Sequence, residues 1–130
     1  AQAVQWYRKA VAVSPSAPAL NNLAWALGKT GDASALESAR KALELAPNDP
    51  AILDTAGSLN VQFGDASEGV KQLEAAVARS PYDAAIRINL IRGLIKERRK
   101  LDATRQIQAA MPYARTDALH QELEKLQSSL

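Results

Sequence analysis

Residues 41–57 read KALELAPNDPAILDTAG, and the punctuation in their middle decides the fold. A helical run carrying Ala42, Leu43 and Leu45 stops at Pro47, and Pro50 opens a new one. Proline cannot continue a helix, because it lacks the backbone N–H and its ring clashes with the preceding turn, yet it suits the first helical position. Asp49, just before Pro50, has the side chain to cap that start. Nearly the same punctuation recurs at Pro15 and Pro81, which lie 32 residues before Pro47 and 34 after it. Aligned on these prolines, Ala3, Tyr7 and Ala10 correspond to Ala35, Ala39 and Ala42, and to Gly69, Leu73 and Ala76. A fourth copy, Ala103, Ile107 and Ala110, keeps the spacing, with its proline early, at Pro112.

A second helix precedes each of the later prolines. LNNLAWALGKTGD covers residues 20–32 and LDTAGSLNVQFGD covers 53–65, and both end in Gly-Asp. Gly31 and Gly64 suit a helix C-terminus at positive φ, where glycine has no Cβ to clash. Asp32 and Asp65 suit the N-cap of the helix that follows. The pattern predicts eight helices, at about 1–14, 18–30, 33–46, 50–63, 66–80, 84–98, 101–111 and 117–129. They form a single domain: an unpaired second helix over 1–16, repeats over 17–49, 50–83 and 84–116, and a capping helix over 117–130. That last helix turns Leu119, Leu123 and Leu126 inward, with Thr116 or Asp117 at its start. The chain opens inside a helical pattern, so it is expected to be a fragment whose first helix lacks a partner for Ala3, Tyr7, Ala10 and Val11.

Composition agrees with an all-α chain. Of the residues 47% are hydrophobic but only 5% aromatic, and no Val/Ile/Thr alternation suggests a sheet. A net charge of +2 is too balanced to imply a nucleic-acid or membrane-surface partner. Cysteine is absent, which removes disulfides and thiol chemistry. No apolar run is long enough to span a bilayer, so no membrane insertion is expected.

The repeat unit resembles the tetratricopeptide repeat (TPR), through Leu20, Leu23, Ala24, Leu27 and Gly31, then Leu53, Ala56, Gly57 and Gly64, then Leu90, Leu94 and Ala103. The resemblance implies a right-handed superhelical α-solenoid of antiparallel helix pairs. Departures exist: Asn60 stands where the family carries Tyr, and the third turn reads KERRKL without glycine. In that family the first helix of each pair lines a concave face that binds a protein segment. The residues there, off the packing stripe, are Asn21, Trp25 and Lys29, then Asp54, Ser58 and Gln62, then Ile88, Arg92 and Lys96. Trp25 is either the groove's anchor or a packing residue between repeats. The expected partner is a protein or peptide.

Other chemistries find little support. The carboxylate-clamp subgroup's slots fall on Asn21, Trp25, Thr55, Ala85 and Asn89, without the required lysines. Lys96, Arg98, Arg99 and Lys100 form a basic run that either meets an anionic partner or, as the favoured reading, is a solvated turn near a helix C-terminus. Asn21, Asp54 and Ile88 do not repeat as an RNA-reading code would require. His120 is the only histidine, and no nucleophile–base–orienter set or metal-ligand spacing occurs, so neither an enzyme, a cofactor nor a metal is expected.

A narrower resemblance lies in Asn21-Asn22-Leu23-Ala24-Trp25, Asp49-Pro50 to Gly57, and Ile86-Arg87. These are similar to the C-terminal repeats of bacterial TPR proteins of exopolysaccharide export and PEP-CTERM systems, with Ser58 in place of the usual Trp. That kinship alone implies the periplasm or cell envelope. The leading expectation is a protein-binding scaffold. The alternative is a self-assembly module joined through its exposed end faces, including a homo-oligomer through the N-terminal helix.

Overall fold

The computed structural model describes residues 2–130, so Ala1 of the expected first helix lies outside them. Eight α-helices follow one another among the described residues: α1 Gln2–Val13, α2 Ala17–Lys29, α3 Ala35–Leu45, α4 Pro50–Phe63, α5 Ala66–Arg79, α6 Ala84–Lys96, α7 Lys100–Ala110 and α8 Asp117–Ser128. A single 3-10 turn, Met111–Tyr113, carries the early Pro112. Helices of 11 to 14 residues are marginal alone in water, so each depends on its neighbours.

Most caps fall where the sequence places them. Asp49 Oδ1 accepts from the N–H groups of Ala51 and Ile52 at 2.9 and 3.4 Å, with Pro50 at the first helical position. Asp65 does the same for Ser67 and Glu68 at 3.0 and 3.3 Å, and Thr116, rather than Asp117, caps α8 through Leu119 N–H at 3.2 Å. Two expectations fail. Asp32 does not cap α3: its Oδ1 accepts from Ser34 N–H at 2.9 Å, inside a tight turn, and α3 begins only at Ala35. Gly64 sits at φ −127°, not at positive φ. Gly31 does take the expected positive φ, at 77°, and among the described residues the other left-handed position is Arg98 at φ 60°.

Pairs are held by small residues. α4 and α5 run antiparallel, with Gly57 facing Gly69 and Leu73, and Asn60 Nδ2 donating to Gln72 Oε1 at 2.8 Å. A Cβ on Gly57 would lie 2.6 Å from Leu73 Cγ and 2.9 Å from the Gly69 carbonyl oxygen, so the backbones approach as closely as glycine allows. Ala35, Ala39, Ala42, Leu73, Ala76, Ala103, Ile107 and Ala110 are all essentially inaccessible, which is the aligned stripe of the sequence. The core forms three apolar clusters, two of them over α2–α4 and the third from α4 to α8, and Leu43 packs against all three.

Helix α1 differs from the expectation in detail. Tyr7 and Val11 are not unpartnered, since both pack with Val4 on the α2 side. The open stripe is Ala3, Trp6, Ala10 and Val13, with Trp6 72% and Val13 87% exposed.

Candidate functional site

Helices α2, α4, α6 and α8 succeed one another along one wall, each touching the next. Between the first three lies a cleft of about 470 Å³ lined by Trp25, Lys29, Asp54, Ser58, Gln62 and Arg92, joined by Thr55 and Asn89. Six of the nine residues expected on the concave face therefore meet in one place. The other three do not. Ile88 is buried at 4% exposure in the core and forms no part of the wall, which corrects its assignment there. Asn21 is half-buried outside the cleft, its Oδ1 enclosed without a protein partner. Lys96 reaches back to α4, donating from Nζ to the Val61 carbonyl at 2.5 Å.

Trp25 is 54% exposed, so it presents its ring to the cleft and is not packed between repeats. Lys29 Nζ sits 4.7 Å from the ring centroid, an exposed cation–π contact of about 0.5–1 kcal/mol. On the opposite side a chain of polar contacts crosses three helices. Asn89 Nδ2 donates to Asp54 Oδ1 at 2.8 Å, Arg92 Nη1 donates to Asn89 Oδ1 at 3.1 Å, and Arg92 Nη2 donates to Glu122 Oε1 at 2.8 Å. Burial pushes the Asp54 carboxyl above its ordinary value; the Asn89 hydrogen bond pulls the other way, and the Asp83 carboxylate adds to the rise. The Arg92 hydrogen bond holds Glu122 below the ordinary carboxylate value. Ser58 Oγ is enclosed in the wall with no hydrogen-bond partner on the protein.

Asn89 and Thr55 are the residues the concave-face reading missed. Both occupy slots named for the carboxylate clamp, and that alignment was the signal available. The basic run serves the turn: Arg99 Nε contacts Asp102 Oδ2 at 3.0 Å, and Arg98 takes the left-handed position. Arg87, part of the narrower motif, donates to the Pro81 carbonyl at 3.0 and 3.1 Å and to Gln106 Oε1 at 2.7 Å, tying a turn to α7. Among the described residues no group of three or more His, Asp or Glu side chains could hold a metal ion, and no helix is long and apolar enough to cross a membrane.

Comparison with known proteins agrees with this architecture. A solved structure of MamA, the RS-1 ArsTM double mutant, superposes with a TM-score of 0.78 over 98% of this chain and 74% of that one, at 21% identity, which shows a shared fold. The comparison with curated proteins gives no match. Residues 17–49 match the tetratricopeptide repeat family. Residues 17–49 thus carry one tetratricopeptide-type repeat, and the whole chain shares the helical fold of that solved structure.

Proposed function

We propose that this chain is a non-enzymatic interaction scaffold that holds an extended or helical segment of a partner protein in the cleft between α2, α4 and α6. The observation that carries this reading is the half-exposed Trp25 at the mouth of a polar, open trough. An exposed tryptophan and an arginine lining one cleft are residue types favoured at binding hot spots. The segment's backbone would find donors and acceptors in Gln62 and Asn89, and its side chain would displace Lys29 from the Trp25 ring. The narrower resemblance of residues 21–57 supports a place in a bacterial envelope or polysaccharide-secretion assembly.

A photo-crosslinking residue at Gln62, in the cleft, and another at Lys71, on exposed α5, test the reading in the native organism. Capture of one partner from Gln62 alone, lost when Trp25→Ala and Arg92→Ala are combined, supports it. Equal capture from Lys71 would overturn it.

A second reading has its own observation. The exposed stripe Ala3, Trp6, Ala10 and Val13 on α1 is an apolar face at helical spacing, which favours self-association through that helix.

A further inference from the structure

The cationic end of the cleft is already occupied by a carboxylate of the same chain. Arg92 receives Glu122 from α8, and its other amino group is held by Asn89, so the guanidinium is oriented before any ligand arrives. We propose that the cleft selects an acidic partner segment, with Arg92 as the residue that takes the segment's carboxylate and Glu122 as the internal competitor it displaces. This rests on the groove reading above.

The charges of the cleft carry the argument. Its lining supplies two cations, Lys29 and Arg92, against one carboxyl, Asp54, which is half-buried and engaged by Asn89. A basic segment would meet Lys29 and Arg92 first and be repelled. Exchange at Arg92 is cheap, because the side chains of the Arg92–Glu122 pair are 49% and 32% exposed, and such pairs shift an equilibrium by about fivefold at most. Exchange is also local. Leu123, next to Glu122, is wholly buried and fixes the α8 backbone, so only the Glu122 side chain has to swing away. Arginine presents its donors as a planar fork matched to carboxylate, which makes one carboxylate a suitable substitute for another.

The test uses a Trp6→Phe background, which leaves Trp25 as the single tryptophan reporter. The probes are three blocked dodecapeptides, three copies of Glu-Leu-Ser-Ala and the same peptide with Gln or with Lys for Glu, titrated at low salt. The expected result is a Trp25 emission change at lower concentration for the Glu peptide than for the Gln peptide. Glu122→Gln should tighten the Glu peptide by up to about fivefold and leave the Gln peptide unchanged. Arg92→Gln should erase the preference, and Arg92→Lys, which keeps charge but loses the fork, should retain part of it. Equal binding of the Glu and Gln peptides, indifferent to Glu122→Gln, overturns the acidic selectivity and leaves groove capture standing. Tightest binding of the Lys peptide overturns its sign. No response to any peptide, with Glu122→Gln included, overturns the inference and counts against the groove reading as well. Unchanged circular dichroism and melting of each variant establish that a lost preference is not lost folding.

Discussion

Arg98 and Gly31 occupy equivalent turns and make the same hydrogen bonds. Gly31 N–H donates to the Gly28 carbonyl and Asp32 N–H to that of Leu27; Arg98 N–H donates to Ile95 and Arg99 N–H to Leu94. This is the Schellman arrangement, which needs a left-handed residue. Arginine holds it at a cost of about 1–2 kcal/mol that glycine avoids, offset in part by glycine's greater freedom when unfolded. Arg98→Gly should therefore stabilise the fold by about 0.5–1 kcal/mol in urea denaturation; a loss of stability would show that the Arg98 side chain contributes more than its backbone costs. Asp54 offers a second prediction. Its folded carboxyl is raised from the ordinary 3.8, so the folded chain holds a proton more tightly than the unfolded one. Stability contributed by this group is then largest below 3.8 and falls as pH rises through the window up to the raised value. Asp54→Asn keeps an acceptor for Asn89 and removes the titration. Its advantage over the native chain should grow between pH 3.5 and 7, and a difference constant with pH would contradict the burial argument.

Among the elements, the boundaries of α4, α5 and α8 were the most legible, because Asp49-Pro50, Asp65 and Thr116 each supply a side chain with one good use. The start of α3 was not, since Asp32 has an equal use in a local turn, and spacing does not decide between the two. The packing stripe was legible for a different reason: Ala42, Gly57 and Ala76 are small where antiparallel helices must touch. At Gly57 a Cβ meets both the Leu73 side chain and the Gly69 carbonyl, and a backbone atom cannot rotate away. Gly57→Leu should overpack α4 against α5 and cost about 1–3 kcal/mol in thermal or urea unfolding. Unchanged stability would mean that the pair separates without penalty. The capping helix gives the complementary case. Leu123 is its single buried residue, so Leu123→Ala should remove about 2–5 kcal/mol of docking, seen as faster amide exchange confined to α8 and its contacts. Exchange that quickens equally in α2 would show that the cap is coupled to the whole array.

At the scale of the molecule, stability is a sum of neighbour contacts, and the outer faces of α1 and α8 differ. On α8 the outward residues Gln121, Glu124, Lys125 and Ser128 are polar and exposed, a face suited to water. On α1 the positions that match Ala35 and Ala42, both fully buried, are Ala3 and Ala10, both exposed, with Trp6 and Val13 beside them. The repeat alignment already placed Ala3 and Ala10 on an interface, but it could not separate that face from the one carrying Tyr7 and Val11. The same ambiguity put Ile88 in the groove and left Asn89 out. In each case neighbouring residues straddle the edge between a packed face and an open one, and only the position of the next helix decides. The self-association reading proposed above rests on this apolar stripe. The native chain should therefore sediment with a mass that rises with concentration. Trp6→Gln combined with Val13→Gln should hold it as a monomer while leaving its helix content unchanged, because Val4, Tyr7 and Val11 still bind α1 to α2. Tyr7→Ala serves as the contrast, since it should loosen α1 itself and lower helix content. A native chain that stays monomeric at all concentrations would remove self-assembly and leave the concave cleft as the working surface.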